Sequence, residues 1–191
     1  DLAWLRSRGL DRAVLDHAAA GKPVLGICGG FQMLGERVND PYGVETGTPK
    51  TAPGLGLLPV RTTFRTEKVL ARPSGNALGQ PVDGYEIHHG EVAVRGGEPF
   101  LDGCRDGATW GTLWHGAFEN DGFRRAFLIE VAADANRPDW APTRDTVFGS
   151  RREQRIEALA DAVEEHLDTD ALLRIIEPGA QAPGRRPRAS G

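Results

Sequence analysis

The 191 residues carry 23 Lys and Arg against 27 Asp and Glu, a net charge of −4, which argues against a surface built to neutralise nucleic-acid phosphates. At 39% hydrophobic and 26% charged, the chain is too apolar for disorder and too polar for membrane embedding. Two cysteines, Cys28 and Cys104, make neither a disulfide framework nor a Cys-x-x-Cys metal site, so a reducing cytoplasm is the expected setting.

The chain opens at Asp1 without a leader pattern, and the expectation is a piece of something longer. Leu2, Trp4 and Leu5 predict a short helix stopped by Gly9. Asp11 reads as the N-cap of a second helix running through Ala20. Val24-Leu25-Gly26-Ile27-Cys28 is a nearly continuous apolar run, the pattern of a strand buried on both faces of a parallel sheet. Gly29-Gly30 breaks it, and Phe31, Met33, Leu34 and Val38 resume a helical period. Helix, strand, turn and helix within forty residues mark an α/β protein.

From Asp40 to Phe100 glycine and proline recur, and short strands are expected at Leu57–Val60, Thr62–Phe64, Tyr85–His88 and Val92–Val94. Thr109–His115 predicts one more strand running into a loop, and Asp121–Val131 a helix with Phe123, Phe127 and Val131 on one stripe. A long helix carrying Ile156, Leu159, Ala160, Val163 and Leu167 follows, then a short one from Asp170 to Ile176. Residues 178–191 are rich in Pro, Gly and Arg and predict a disordered tail. Residues 1–177 are thus expected to form one domain.

Gly26-Ile27-Cys28-Gly29-Gly30 concentrates the chemistry. A cysteine between a buried strand and a helix, flanked by glycines, matches the logic of a nucleophile elbow, where crowding demands small neighbours. Backbone N–H groups and the helix N-terminus then favour a thiolate and an oxyanion, so a lowered thiol pKa is expected. The plainer reading makes Cys28 a small buried hydrophobe. Cys104, in Asp102-Gly103-Cys104-Arg105, reads as a turn residue or edge-strand filler. A cysteine nucleophile wants an imidazole. His17 and His166 sit on charged helices, whereas His88 and His89 share a strand and point to opposite faces. His115, at a strand end before Gly116, is the best placed of the five, with His88 and His89 still open. No spacing among His88, His89, His115 and Cys28 supports a metal site.

Pro23 through Gly35, Val24-Leu25-Gly26-Ile27-Cys28-Gly29-Gly30-Phe31-Gln32-Met33-Leu34 included, resembles the nucleophile segment of class I, triad-type glutamine amidotransferases. Asp40-Pro41 with Gly43-Val44-Glu45, Gly54-Leu55-Gly56-Leu57-Leu58, Thr63-Phe64 with Lys68, and Gly84-Tyr85-Glu86-Ile87-His88 with Gly90 are similar to the cobyric acid synthase branch. Gly111-Thr112-Leu113-Trp114-His115-Gly116 with Phe118 looks like its histidine segment, followed by Phe123-Arg124-Arg125. The resemblance covers nearly all of residues 1–177.

It implies a flavodoxin-like, mostly parallel central sheet flanked by helices, with a smaller β-rich portion and the first strand missing. That strand would carry another part of the oxyanion hole. It also implies a glutaminase that supplies ammonia to an ATP-dependent synthetase domain amidating a corrinoid, adenosylcobyrinic acid a,c-diamide. ATP and magnesium would belong to that other domain, with no cofactor in this one. Cys28 would attack glutamine, the Gly29 N–H would hold the oxyanion, His115 would shuttle protons, and Gln32 would either touch substrate or sit on the helix surface. Many relatives place a glutamate two residues beyond the histidine; here that residue is Ala117, with Glu119 a weak substitute, so a Cys–His dyad is implied. The alternatives are the glutaminase part of a sister enzyme, forming the a,c-diamide or amidating lipid II, and a catalytically silent docking module.

Overall fold

The computed structural model describes residues 1–176; the expected tail, 178–191, lies outside them. It divides into two compact units, residues 1–146 and the segment from Val147 onward. In chain order, α1 (Leu2–Ser7) and α2 (Leu10–Ala19) lead into β1 (Val24–Ile27), α3 (Gly29–Leu34), β2 (Arg37–Asp40) and β3 (Lys50–Pro53). The long β4 (Val60–Ala71) precedes the hairpin of β5 (Ser74–Ala77) and β6 (Gln80–Asp83), then β7 (Glu86–Val94). Next come β8 (Glu98–Phe100), β9 (Gly103–Asp106), β10 (Thr109–Thr112), a 3-10 turn at Ala117–Glu119 and α4 (Asp121–Asp134). The second unit holds α5 (Phe148–His166) and α6 (Thr169–Ile176), where the Asp168 carboxylate accepts from the Ala171 N–H at 2.9 Å.

Among the described residues the strands make two four-stranded sheets, ordered β1-β10-β9-β8 and β3-β2-β4-β7, and the two-stranded β5-β6 sheet. Among the described residues only β1–β10 and β2–β4 are parallel pairs; the other neighbours run antiparallel. The α/β reading holds, but the mostly parallel sheet is corrected to mixed sheets. The cause lies in the connections. Parallel neighbours need crossovers of a dozen residues or more, whereas β8, β9 and β10 are joined by two-residue turns that can only reverse the chain.

Several local expectations also shift. Gly9, at φ 69, both stops α1 and caps α2, leaving Asp11 inside the first turn of the helix. α3 ends at Leu34, and Val38 lies in β2. A side chain at Gly35 would collide with Val60, whose carbonyl lies 2.7 Å from that point, and the tight approach turns the chain there. Leu57 and Leu58 precede β4, and the two strands expected over 85–94 are one continuous β7. β1 pairs with β10 alone among the described residues, so Leu25 and Ile27 are exposed where full burial was expected.

The first sheet is packed on both sides. Trp110, Trp114 and Phe100 face α4, meeting Phe123, Phe127 and Ala117 in an aromatic core. Cys104 and Leu113 meet Phe31, Leu34, Leu58 and Val60 on the α3 side. Cys104 is fully buried in β9, an interior strand, so it is core rather than turn or edge. Alternation along β10 puts Gly111 under the Phe31 ring, and a Cβ there would also lie 2.7 Å from Leu58 Cδ1. The ring occupies the volume two glycines vacate, since a Cβ on Gly103 would lie 2.8 Å from Phe31 Cζ. Gly111→Ala should therefore cost about 1–3 kcal/mol of stability by overpacking, read from a urea melt; an unchanged midpoint would contradict this wedge.

Candidate active site

Cys28 joins β1 to α3 with φ 51 and ψ −114, a left-handed conformation that costs a non-glycine residue free energy. Its neighbours are small for different reasons. A Cβ on Gly26 would lie 2.7 Å from Leu34 Cδ1 and from the Phe31 amide nitrogen, so packing forbids one. At Gly29 and Gly30 no protein atom stands within 4 Å of such a Cβ. Glycine there is not imposed by this chain's packing, and the backbone N–H groups stay open to close approach.

The Cys28 N–H donates to the Thr112 carbonyl at 2.8 Å, continuing the parallel β1–β10 register in which Ile27 faces Thr112. Three residues on, His115 is pinned by two backbone bonds to Tyr85, His115 N–H to Tyr85 O at 2.8 Å and Tyr85 N–H to His115 O at 2.9 Å. The Tyr85 ring stacks on the imidazole, 5.0 Å between centroids and 11° from parallel. His115 Nε2 is buried without a hydrogen-bond partner. Both residues thus sit at the carboxyl ends of parallel strands, where open α/β sheets put their sites.

The remaining residues expected at the site separate. Gln32 is buried, which removes the helix-surface reading; its unpartnered Nε2 stands against Gly90 of β7. Next along that face of β7, His88 is buried with Glu86 Oε2 3.5 Å from its Nε2, whereas the His89 imidazole meets the Arg65 carbonyl at 3.2 Å. His17 and His166 lie exposed in the last turns of α2 and α5. Ala117 is fully buried in the aromatic core, so no carboxylate stands at the position two beyond His115. Among the described residues no group of three His, Cys, Asp or Glu side chains could hold a metal ion.

Two carboxylates near Cys28 were not anticipated as site residues. The loop after Asp40 carries Glu45 close enough for its charge to act on the Cys28 thiol. The buried Asp40 carboxylate ties that loop by accepting from the Val44, Glu45 and Thr46 N–H groups at 2.8–3.1 Å. Glu45 rides on it. Asp102 comes from the β8–β9 turn and reaches Thr112 and Leu113. Burial pushes the Cys28 thiol pKa up, the Gly29 N–H pulls it down, and the Asp102 and Glu45 charges raise it further. The net direction is upward, opposite to the lowering expected from the elbow alone. Desolvation penalises the thiolate more than one backbone donor favours it. Alkylation of Cys28 by iodoacetamide should rise with pH through a midpoint above that of a free thiol, about 8.5; a midpoint below neutrality would contradict this balance.

Residues 1–123 match the family model described as the CobB/CobQ-like glutamine amidotransferase domain. Over 94% of the chain, the sequence is 59% identical to the cobyric acid synthase of Streptomyces avermitilis and 58% identical to that of Streptomyces coelicolor. The cobyric acid synthase of Mycolicibacterium vanbaalenii is 55% identical over 93% of it. In each case the chain spans 35% of the relative's length. The chain belongs to the CobB/CobQ-like glutamine amidotransferase domain family.

Proposed function

We propose that this chain is the glutamine-hydrolysing part of a cobyric acid synthase, working in the cytoplasm, with residues 1–177 acting as its glutaminase domain. The observation that carries the site assignment is the link between the strained Cys28 and Thr112, three residues before a histidine with a buried, unpartnered Nε2. On this reading the Cys28 thiol gives its proton to His115 as the sulfur attacks the glutamine carboxamide carbon. The Gly29 N–H, already within reach of the sulfur, helps hold the developing oxyanion. His115 returns the proton to the departing nitrogen, the C–N bond breaks, and ammonia leaves a γ-glutamyl thioester. His115 then takes a proton from water, hydroxide attacks the thioester, and glutamate departs as Cys28 regains its proton. A raised thiol pKa fits this sequence, because the proton leaves only when a base and substrate are in place.

Gln32, one turn into α3, would brace the elbow from beneath rather than meet glutamine, because its buried amide stands against Gly90 of β7. The ammonia is used to amidate adenosylcobyrinic acid a,c-diamide to adenosylcobyric acid, at the expense of ATP. That chemistry, with its magnesium, belongs to the remaining length that the relatives carry. The sister-enzyme reading has less support, given identities of 55–59% to cobyric acid synthases. Ala117 favours a silent docking module, but such a module has no use for a strained cysteine bonded to the strand that leads to an oriented histidine. In the complete enzyme, Cys28→Ala should cut glutamine-dependent amidation by about 10³-fold or more while ammonium salts still support it. Unchanged glutamine-dependent turnover would remove Cys28 from the reaction.

A further inference from the structure

We propose that Asp102 is a positioning residue that locks the corner at the end of β10 and so fixes the spacing between Cys28 and His115. The inference rests on the glutaminase reading above. The parallel ladder stops at Thr112, so the next amides leave the sheet and need other acceptors. Asp102 Oδ1 accepts the Thr112 hydroxyl at 2.6 Å and the Leu113 N–H at 3.0 Å. Thr112 Oγ1 in turn accepts the Trp114 N–H at 3.0 Å, and the His115 N–H goes to Tyr85. The Thr112 carbonyl holds the Cys28 N–H. One carboxylate therefore braces the residue bonded to Cys28 and both residues leading to His115.

The turn that presents it is itself fixed. Leu101 sits at φ 53 between Phe100, buried in the aromatic core, and Gly103, which is pressed against β10. Leu113 and Trp114 are buried in opposite cores, as successive residues of an extended chain are, and the chain bends at Leu113. Asp102 touches no reacting atom in this scheme; it acts through Thr112 and Leu113. Its negative charge opposes thiolate formation at Cys28, as does that of Glu45 on the loop after β2, while the Gly29 N–H favours it. A carboxylate kept there in spite of that cost fits a mechanical role.

The test compares Asp102→Ala and Asp102→Asn in the complete enzyme, with glutaminase kinetics, Cys28 alkylation against pH, and amide exchange at Leu113 and Trp114. Asp102→Ala should lower kcat roughly 10- to 100-fold through misplacement of the reacting groups, with KM within about threefold, and speed exchange at both amides. Asp102→Asn keeps the Oδ1 acceptor, so it should recover most of the lost kcat. It should also move the alkylation midpoint to lower pH, with Glu45 still present. Wild-type kcat in a folded Asp102→Ala protein would overturn the proposal, as would an asparagine variant as slow as the alanine one. If the wild-type enzyme itself hydrolyses no glutamine, the glutaminase reading fails. The exchange measurement still decides the clamp, because unchanged protection in Asp102→Ala would refute it.

Discussion

The hydrogen bond from Cys28 to the Thr112 carbonyl is the constraint on which the site depends. It ties the end of one strand to the end of its parallel neighbour, and each strand carries one candidate reacting group just beyond that tie. A cysteine at positive φ costs of order 1–3 kcal/mol unless its surroundings over-determine it. Here they do. The amide is held by β10, the carbonyl receives the first α3 bond from Gln32, and Gly26 leaves no room for relaxation toward Leu34.

β10 can serve as that anchor because it is gripped from both sides. Phe31, from the helix Cys28 begins, presses on Gly111, while Trp110 inserts into the aromatic core beneath α4. Arg105 lies over the Trp110 ring at 4.1 Å and pairs with Asp134 at 2.7 Å, so the far face is fixed electrostatically as well as by packing. The residue after the cysteine elbow and the strand before the histidine thus share one core. Displacing either one moves both.

What was legible in the sequence was local. A strand, a cysteine between glycines and a helix define an elbow within ten residues, and His115 followed from a strand end and a glycine. α4 announced itself through Phe123, Phe127 and Val131. Sheet topology was not legible, because Gly- and Pro-rich turns mark reversals without saying which strands then pair. Leu25 and Ile27 read as fully buried for a similar reason, since an apolar run does not reveal how many neighbours its strand finds. Asp102 and Glu45 escaped notice as site residues because they reach Cys28 only through the β8–β9 turn and the loop tied by Asp40. The same two charges, with burial, reversed the expected shift of the thiol. Local motif logic supplied the donor at Gly29 and missed the carboxylates brought in by the fold.

On the proposed function, Cys28 and His115 act as one unit on glutamine. The most direct test treats the complete enzyme with a glutamine-mimicking diazo-ketone and maps the adduct by peptide mass spectrometry. The expected result is a single adduct on Cys28, none on the buried Cys104, protection by glutamine, and loss of labelling in His115→Ala. A folded, substrate-competent enzyme that stays unlabelled at Cys28, or that labels equally well without His115, would contradict it.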